Sequence, residues 1–197
     1  LHSLKQEKFS TRIVILMNAL LSKFCLKVTH NSKIGISHHR EIGFCTTNSI
    51  YIPNGFNHEK LYPSLSKRLA FRKLHDVPQK TFVITLLARY DPIKGHDIFL
   101  KAAKILLLEF PDVTFLMVGE GLSTDNSKLS KLITDIASNL IILGHQDDII
   151  SVLNGTDILT VSSHSEGFPN VLGEGMAVGL NCVATNVGGC AEILGNC

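Results

Sequence analysis

The chain has 197 residues, 45% of them hydrophobic and 18% charged, which is too apolar for a disordered chain and long enough for one large or two small cores. Its 19 Lys and Arg against 17 Asp and Glu leave a net charge of +2 with no run of five like charges, so no nucleic-acid partner is expected. Five dispersed cysteines (Cys25, Cys45, Cys182, Cys190, Cys197) without C-x-x-C fit a reduced protein better than a disulfide scaffold, with Cys182 a core thiol.

Along the chain, Leu1 to Ser10 is polar, with Lys5, Glu7 and Lys8, and lacks the apolar core of a signal peptide. The apolar stretch Ile13 to Leu21 is interrupted by Asn18 and falls short of the ~20 residues of a bilayer helix. The pattern predicts a helix around Gln6 to Phe24 and a short strand from Leu26 to His30. Asn31-Ser32 should cap a helix through Glu41 that Gly43 ends. Ile52-Pro53-Asn54-Gly55 reads as a linker, because Pro restricts its predecessor and Asn-Gly favours a tight turn. The domain boundary falls there, giving residues 1–52 and 53–197.

Beyond it, near-continuous apolar runs at Thr81 to Leu87, Val113 to Val118, Leu140 to Leu143, Asp157 to Val161 and Asn181 to Ala184 read as strands buried on both faces. Between them lie stripes of helical period: Phe99, Ala102, Ala103, Leu106 and Phe110, then Leu129, Leu132, Ile133 and Ile136. The alternation specifies βαβ units, hence an α/β fold with a Rossmann-like parallel sheet and helices on both faces. Ligands in such sheets sit at the carboxyl ends of the strands.

Three segments follow those carboxyl ends. Arg89-Tyr90-Asp91-Pro92-Ile93-Lys94-Gly95 offers a planar guanidinium fork and a mobile ammonium, a pair that suits phosphate oxygens as readily as it fits a solvated loop. Gly119-Glu120-Gly121 is not a dinucleotide fingerprint, because Thr124 stands where a third glycine is needed, and no P-loop Lys-Ser/Thr follows. The stretch from Ser162 to Glu174 leaves a strand and enters a helix, with Asn170 as a candidate N-cap whose following N–H groups would attract an anion. Glu174 can accept two hydrogen bonds from a vicinal diol such as a ribose, and Glu166 could hold a second hydroxylated group. The competing reading is a capping box at Ser163 and Glu166 with Glu174 stabilising its helix.

Other chemistries are weaker. The adjacent His38-His39 would project ~100° apart on a helix, and Asp147-Asp148 is not D-x-D, so no metal is expected. Ser165 is not in G-x-S-x-G, which removes that hydrolase pattern.

Taken together these residues resemble the retaining glycosyltransferases of the GT-B fold, glycosyltransferase family four or group 1. The markers are Asn31-Ser32, I-P-N-G-F at Ile52 to Phe56, A-R-x-D-P-x-K-G from Ala88 to Gly95, V-G-x-G from Val118 to Gly121, and Leu143-Gly144. The most specific is the E-x7-E motif within S-E-G-F-P-N-V-L-G-E, Ser165 to Glu174, followed by V-A-T-x-V-G-G from Val183 to Gly189 and by Glu192. Departures are Gly175, Asn181 and Asn186, where Ala, Pro and Asp are common; Gly175 costs a helix about 1 kcal/mol relative to Ala unless it permits close packing.

The resemblance implies transfer of a sugar from a nucleotide diphosphate sugar, a UDP- or GDP-sugar, to an acceptor hydroxyl with retention. It implies no other cofactor and no metal. Arg89 and Lys94 would bind the diphosphate and Glu174 the ribose. Glu166 would meet the sugar hydroxyls, with backbone N–H groups at Phe168, Asn170 and Val171. Gly119 and Gly121 would line the donor site, and Gly144 and His145 the nucleobase. Residues 1–52 would be the tail of the acceptor lobe and 53–197 an incomplete donor domain, in a chain that starts with Leu and stops at Cys197 in an apparent helix start. Such a piece is expected to bind nucleotide without transferring sugar. The acceptor would be a glycan or glycolipid, and the location cytoplasmic, with peripheral membrane contact through a missing lobe. The alternatives are a non-catalytic nucleotide-sugar or phosphate-binding module, a glycoside phosphorylase or an epimerase.

Overall fold

The computed structural model describes residues 9–123 and 127–195; Gln6 to Lys8, Thr124 and Cys197 lie outside them. By their contacts these residues form two units. One takes in the chain up to Gly55 with Ser165–Asn170 and the segment from Asn186 onward; the other is Phe56–His164 with Val171–Thr185.

In the first unit, α1 spans Phe9–Leu21 and continues as a 3-10 turn, Ser22–Phe24. Strands β1 (Val28–His30) and β2 (Ser49–Tyr51) pair in parallel around α2 (Lys33–Ile42). The caps expected of α2 are both present: the Ser32 hydroxyl accepts the Gly35 N–H, and Gly43 closes the helix in the left-handed conformation. The sequence pattern gave no sign of β2, whose three residues are too few to display a period. Further along lies α8, Cys190–Leu194. Among the described residues no helix is long and apolar enough to cross a membrane.

The second unit is built on a five-stranded, all-parallel sheet of order β5-β4-β3-β6-β7, with β3 at Val83–Leu87, β4 at Thr114–Val118, β5 at Leu140–Leu143, β6 at Ile158–Val161 and β7 at Asn181–Ala184. Its helices are α3 (Leu65–Leu74), α4 (His96–Leu107), α5 (Ser127–Ile133), α6 (Ile149–Gly155) and most of α7 (Asn170–Ala177). The central runs are nearly all apolar because both sheet faces are covered there, whereas β7 is corrected: as an edge strand it leaves Asn181 and Val183 exposed. On one face Ile84, Leu86, Phe115 and Met117 pack against Phe99, Leu100 and Ala103 of α4 and Leu129 and Ile133 of α5. On the other, Val83, Leu116 and Val118 pack against Phe71 of α3 and Val152 of α6. The α4 stripe is corrected at two positions: Ala102 is exposed, and Phe110 lies beyond the helix end and is 54% exposed. Leu100 takes the inward place, so the buried face is narrower than the stripe predicts.

Packing also accounts for Gly175. A Cβ there would overlap the fully buried Leu159 side chain and lie 3.2 Å from the Cys182 sulfur. Gly175→Ala therefore gains about 1 kcal/mol of helix propensity and loses about 1–3 kcal/mol to overpacking. A net destabilisation is expected in urea unfolding; a stabilised variant would mean that Leu159 turns aside freely.

Candidate functional site

The strand order places the reversal of direction between β3 and β6: the chain runs outward from β3 through β4 to β5, then returns to the other side of β3 for β6 and β7. Loops leaving adjacent strands on opposite sides of such a switch open a crevice at the carboxyl edge.

The two loops are stitched together there. The His164 N–H donates to the Ile93 carbonyl at 2.8 Å, and the Ser162 hydroxyl to the Gly95 carbonyl at 2.9 Å. Gly95 sits at φ +64°, and any Cβ on it would overlap the Ser162 carbonyl oxygen, so only glycine permits this approach.

Within the β3 loop, Pro92–Lys94 form a 3-10 turn capped by Asp91, whose carboxylate accepts the Ile93 N–H at 3.0 Å. That bond, with help from Arg89, holds the Asp91 carboxyl below its usual range. Arg89 is 63% exposed and donates to Asp91 at 3.2 Å, so the same carboxylate orients both turn and guanidinium. Lys94 is half-buried at the end of the turn.

Gly119 and Gly121 follow β4, and the Glu120 carbonyl accepts the Tyr90 N–H at 2.7 Å, tying this loop to Arg89's neighbour. Gly144 and His145 follow β5 and are exposed, with His145 Nε2 3.2 Å from Asp147. All four lie on loops at the same carboxyl edge of the sheet as Arg89 and Lys94.

Val171 and Glu174 occupy the first and second turns of α7. The Glu174 side chain is half-buried, and no hydrogen bond or ion pair engages its carboxylate among the described residues. Burial alone pushes its pKa above the usual carboxylate range. A carboxylate left so is costly to the fold and ready for donors from outside.

Glu166, Phe168 and Asn170 belong to the first unit. Glu166 and Phe168 are half-buried, and Asn170 is exposed. The expectation for Asn170 needs correction: it is the first residue of α7, and its side-chain oxygen accepts the Asn54 amide at 2.7 Å.

His96 escaped the sequence reading. It opens α4 directly after Gly95, is 4% exposed, and neither ring nitrogen has a hydrogen-bond partner among the described residues. Its ring packs on Tyr90, centroids 5.3 Å apart. Burial lowers its pKa, and the neighbouring Ala88 and Asp91 backbone and the Asp91 and Asp97 charges oppose that shift without overcoming it. The signal K-G-H in a loop gives no hint of such burial. Cys182 is half-buried and its thiol is pushed up to about 11 by burial, which makes it inert. No cluster of three metal-ligating side chains occurs among the described residues.

The family model described as "Glycosyl transferases group 1" matches residues 67–196. An Escherichia coli UDP-Gal:alpha-D-GlcNAc-diphosphoundecaprenol alpha-1,3-galactosyltransferase is 28% identical over 92% of this chain and 44% of its own length. A Mycolicibacterium smegmatis phosphatidyl-myo-inositol mannosyltransferase is 34% identical over 61% of this chain and 32% of its own. Among solved structures, that of Anabaena Alr3699/HepE in complex with UDP-glucose superimposes with a TM-score of 0.84 at 25% identity, covering 100% of this chain and 55% of that one. The chain thus spans about half the length of the proteins it matches. The parallel sheet with helices on both faces is that of the GT-B glycosyltransferase structures.

Proposed function

This chain belongs to the glycosyl transferases group 1 family, and from that membership we propose that it binds the donor in the transfer of a sugar from a nucleotide diphosphate sugar to an acceptor hydroxyl, with the anomeric configuration retained. The observation that carries the reading is the stitching of the β3 and β6 loops at the carboxyl edge, with Arg89 and Lys94 on one loop and, beyond the other, a half-buried Glu174 that has no partner among the described residues.

Arg89 and Lys94 bind the diphosphate and Glu174 the ribose diol, while Gly144 and His145 flank the base and Gly119 and Gly121 line the donor site. Glu166 meets the hydroxyls of the transferred sugar, with backbone N–H groups at Phe168, Asn170 and Val171. Because the leaving diphosphate gains negative charge as the glycosidic bond breaks, cations fixed beside it stabilise the transition state more than the ground state. UDP-sugar is favoured as donor by the name of the Escherichia coli relative and by the UDP-glucose held in the Anabaena structure. The acceptor is a glycan or glycolipid, as the names of the relatives suggest, and the location is cytoplasmic, with peripheral membrane contact. Residues 53–197 supply this donor domain and residues 1–52 the tail of the acceptor lobe.

Glu174→Gln tests the reading through two opposed effects. A carboxyl whose folded pKa is raised gives stability that is full below its unfolded pKa of about 4.3 and lost as pH rises through the folded value. At pH 7 the wild type therefore carries that loss and Glu174→Gln does not, so the variant should melt higher than the wild type at pH 7, with the difference vanishing toward pH 4. Calorimetry should meanwhile find UDP bound about tenfold or more weaker, and 2′-deoxy-UDP less affected. Equal losses for both nucleotides would confine Glu174 to its helix.

A further inference from the structure

We infer that Glu192 is a positioning residue for Glu166, acting through the N-terminus of α2 and a pair of glycines. The Glu192 carboxylate accepts the N–H groups of both Lys33 and Ile34, each at 2.9 Å. These are among the donors that a helix start leaves unpaired, and Ser32 accepts a third, the Gly35 N–H. A carboxylate there is also favoured by the positive end of the helix.

The grip fixes α8 by its first turn and, with it, the two residues that precede the helix. Gly188 and Gly189 lie against the backbone of the segment that carries Glu166. Gly188 adopts φ +54°, and a Cβ on it would overlap the Glu166 carbonyl oxygen. Gly189 donates its N–H to the Gly167 carbonyl at 2.9 Å, and a Cβ on it would come within 3.4 Å of Ser32 and 3.6 Å of the Phe168 backbone. At the far end of the same segment, Asn54 donates to Asn170. The backbone of residues 166–170 is thereby held from behind at both ends. One of these holds depends on where α8 sits, and Glu192 ties α8 to α2. Each of these residues belongs to the same unit. A carboxylate whose partners are two backbone N–H groups 158 and 159 residues away serves the placement of elements, and its own distance from Glu166 is spanned by the glycine turn.

The inference rests on the reading that Glu166 meets the donor sugar, and two measurements on the 197-residue chain separate the two. Hydrogen exchange is read first, without nucleotide. In Glu192→Ala the Gly189 amide, which donates to the Gly167 carbonyl, should lose protection roughly tenfold, while the amides of β3 and β4 keep theirs. Unchanged exchange at Gly189 overturns the inference whatever the ligand does. Calorimetry with UDP and with UDP-glucose follows. The wild type should bind the sugar nucleotide more tightly, and Glu192→Ala should reduce that advantage roughly fivefold, about one hydrogen bond's worth, with affinity for UDP itself unchanged. A parallel drop for both ligands would mark a general loss of structure and also overturn it. If the exchange responds as expected and the wild type does not distinguish UDP-glucose from UDP, the coupling through Gly188 and Gly189 stands and the sugar-contact role of Glu166 falls. Glu192→Gln, which keeps one acceptor oxygen and no charge, should give intermediate values in both measurements. It also carries the test if the alanine variant does not fold.

Discussion

Arg72→Leu is expected to destabilise the fold by about 3–5 kcal/mol, the cost of breaking a buried ion pair from one side. Arg72 is fully buried, and its guanidinium donates to the carbonyls of Gly155 at 2.9 Å, Gln79 at 3.1 Å and Thr81 at 3.0 Å and to Asp157 at 2.7 Å. Burial lowers its pKa and Asp157 opposes that shift, so the charge survives because it is paired. Asp157 also takes the Val83 N–H and the Arg68 guanidinium, each at 2.7 Å. Leucine would strand three carbonyls and leave Asp157 with the partly exposed Arg68 for its charge. This network pins the amino ends of β3 and β6, whose carboxyl ends carry Arg89 and the loop to Glu174. Arg68→Ala, at 27% exposure, should cost only about 1 kcal/mol. Urea unfolding that found the two variants equal would show that the network shares its load differently.

The second large effect concerns affinity. Arg89→Ala and Lys94→Ala should each weaken UDP binding by about 1.5–3 kcal/mol, the range for hydrogen bonds to charged groups. Arg89 is 63% exposed and its partner among the described residues is the loop carboxylate of Asp91, so its removal should leave the unfolding free energy within about 0.5 kcal/mol of wild type. Arg89→Lys should restore part of the affinity at most, because an ammonium cannot present a planar fork. The affinity of both alanine variants should also fall less steeply with added salt. Titrations that found wild-type affinity in both would remove the diphosphate from this loop.

Local chemistry was enough for much of this molecule. Alternating apolar runs and helical stripes dictate a parallel sheet covered on both faces, since a strand with no polar side can only be buried twice. Ser32 and Gly43 announce both ends of α2, because capping depends on one side chain and one dihedral angle. The spacing of Arg89, Lys94, Glu166 and Glu174 carries the family resemblance that the match over residues 67–196 bears out.

What the sequence by itself determined is therefore what depends on neighbours in the chain: element type, caps, and which loops follow which strands. Tertiary structure alone decided what depends on neighbours in space. That β6 returns to pair with β3, and so sets the reversal at the Arg89 loop, is a choice among partners with equally apolar edges. Arg72 reads as a solvated helix charge until the carbonyls of Gln79, Thr81 and Gly155 close around it. Gly175 reads as a helix defect until Leu159 fills the space that its missing methyl leaves. Glu192 and α2 are about 160 residues apart, and no periodicity reaches so far. In each case the deciding energy is a contact between distant segments, and its sign is fixed only when the chain brings them together.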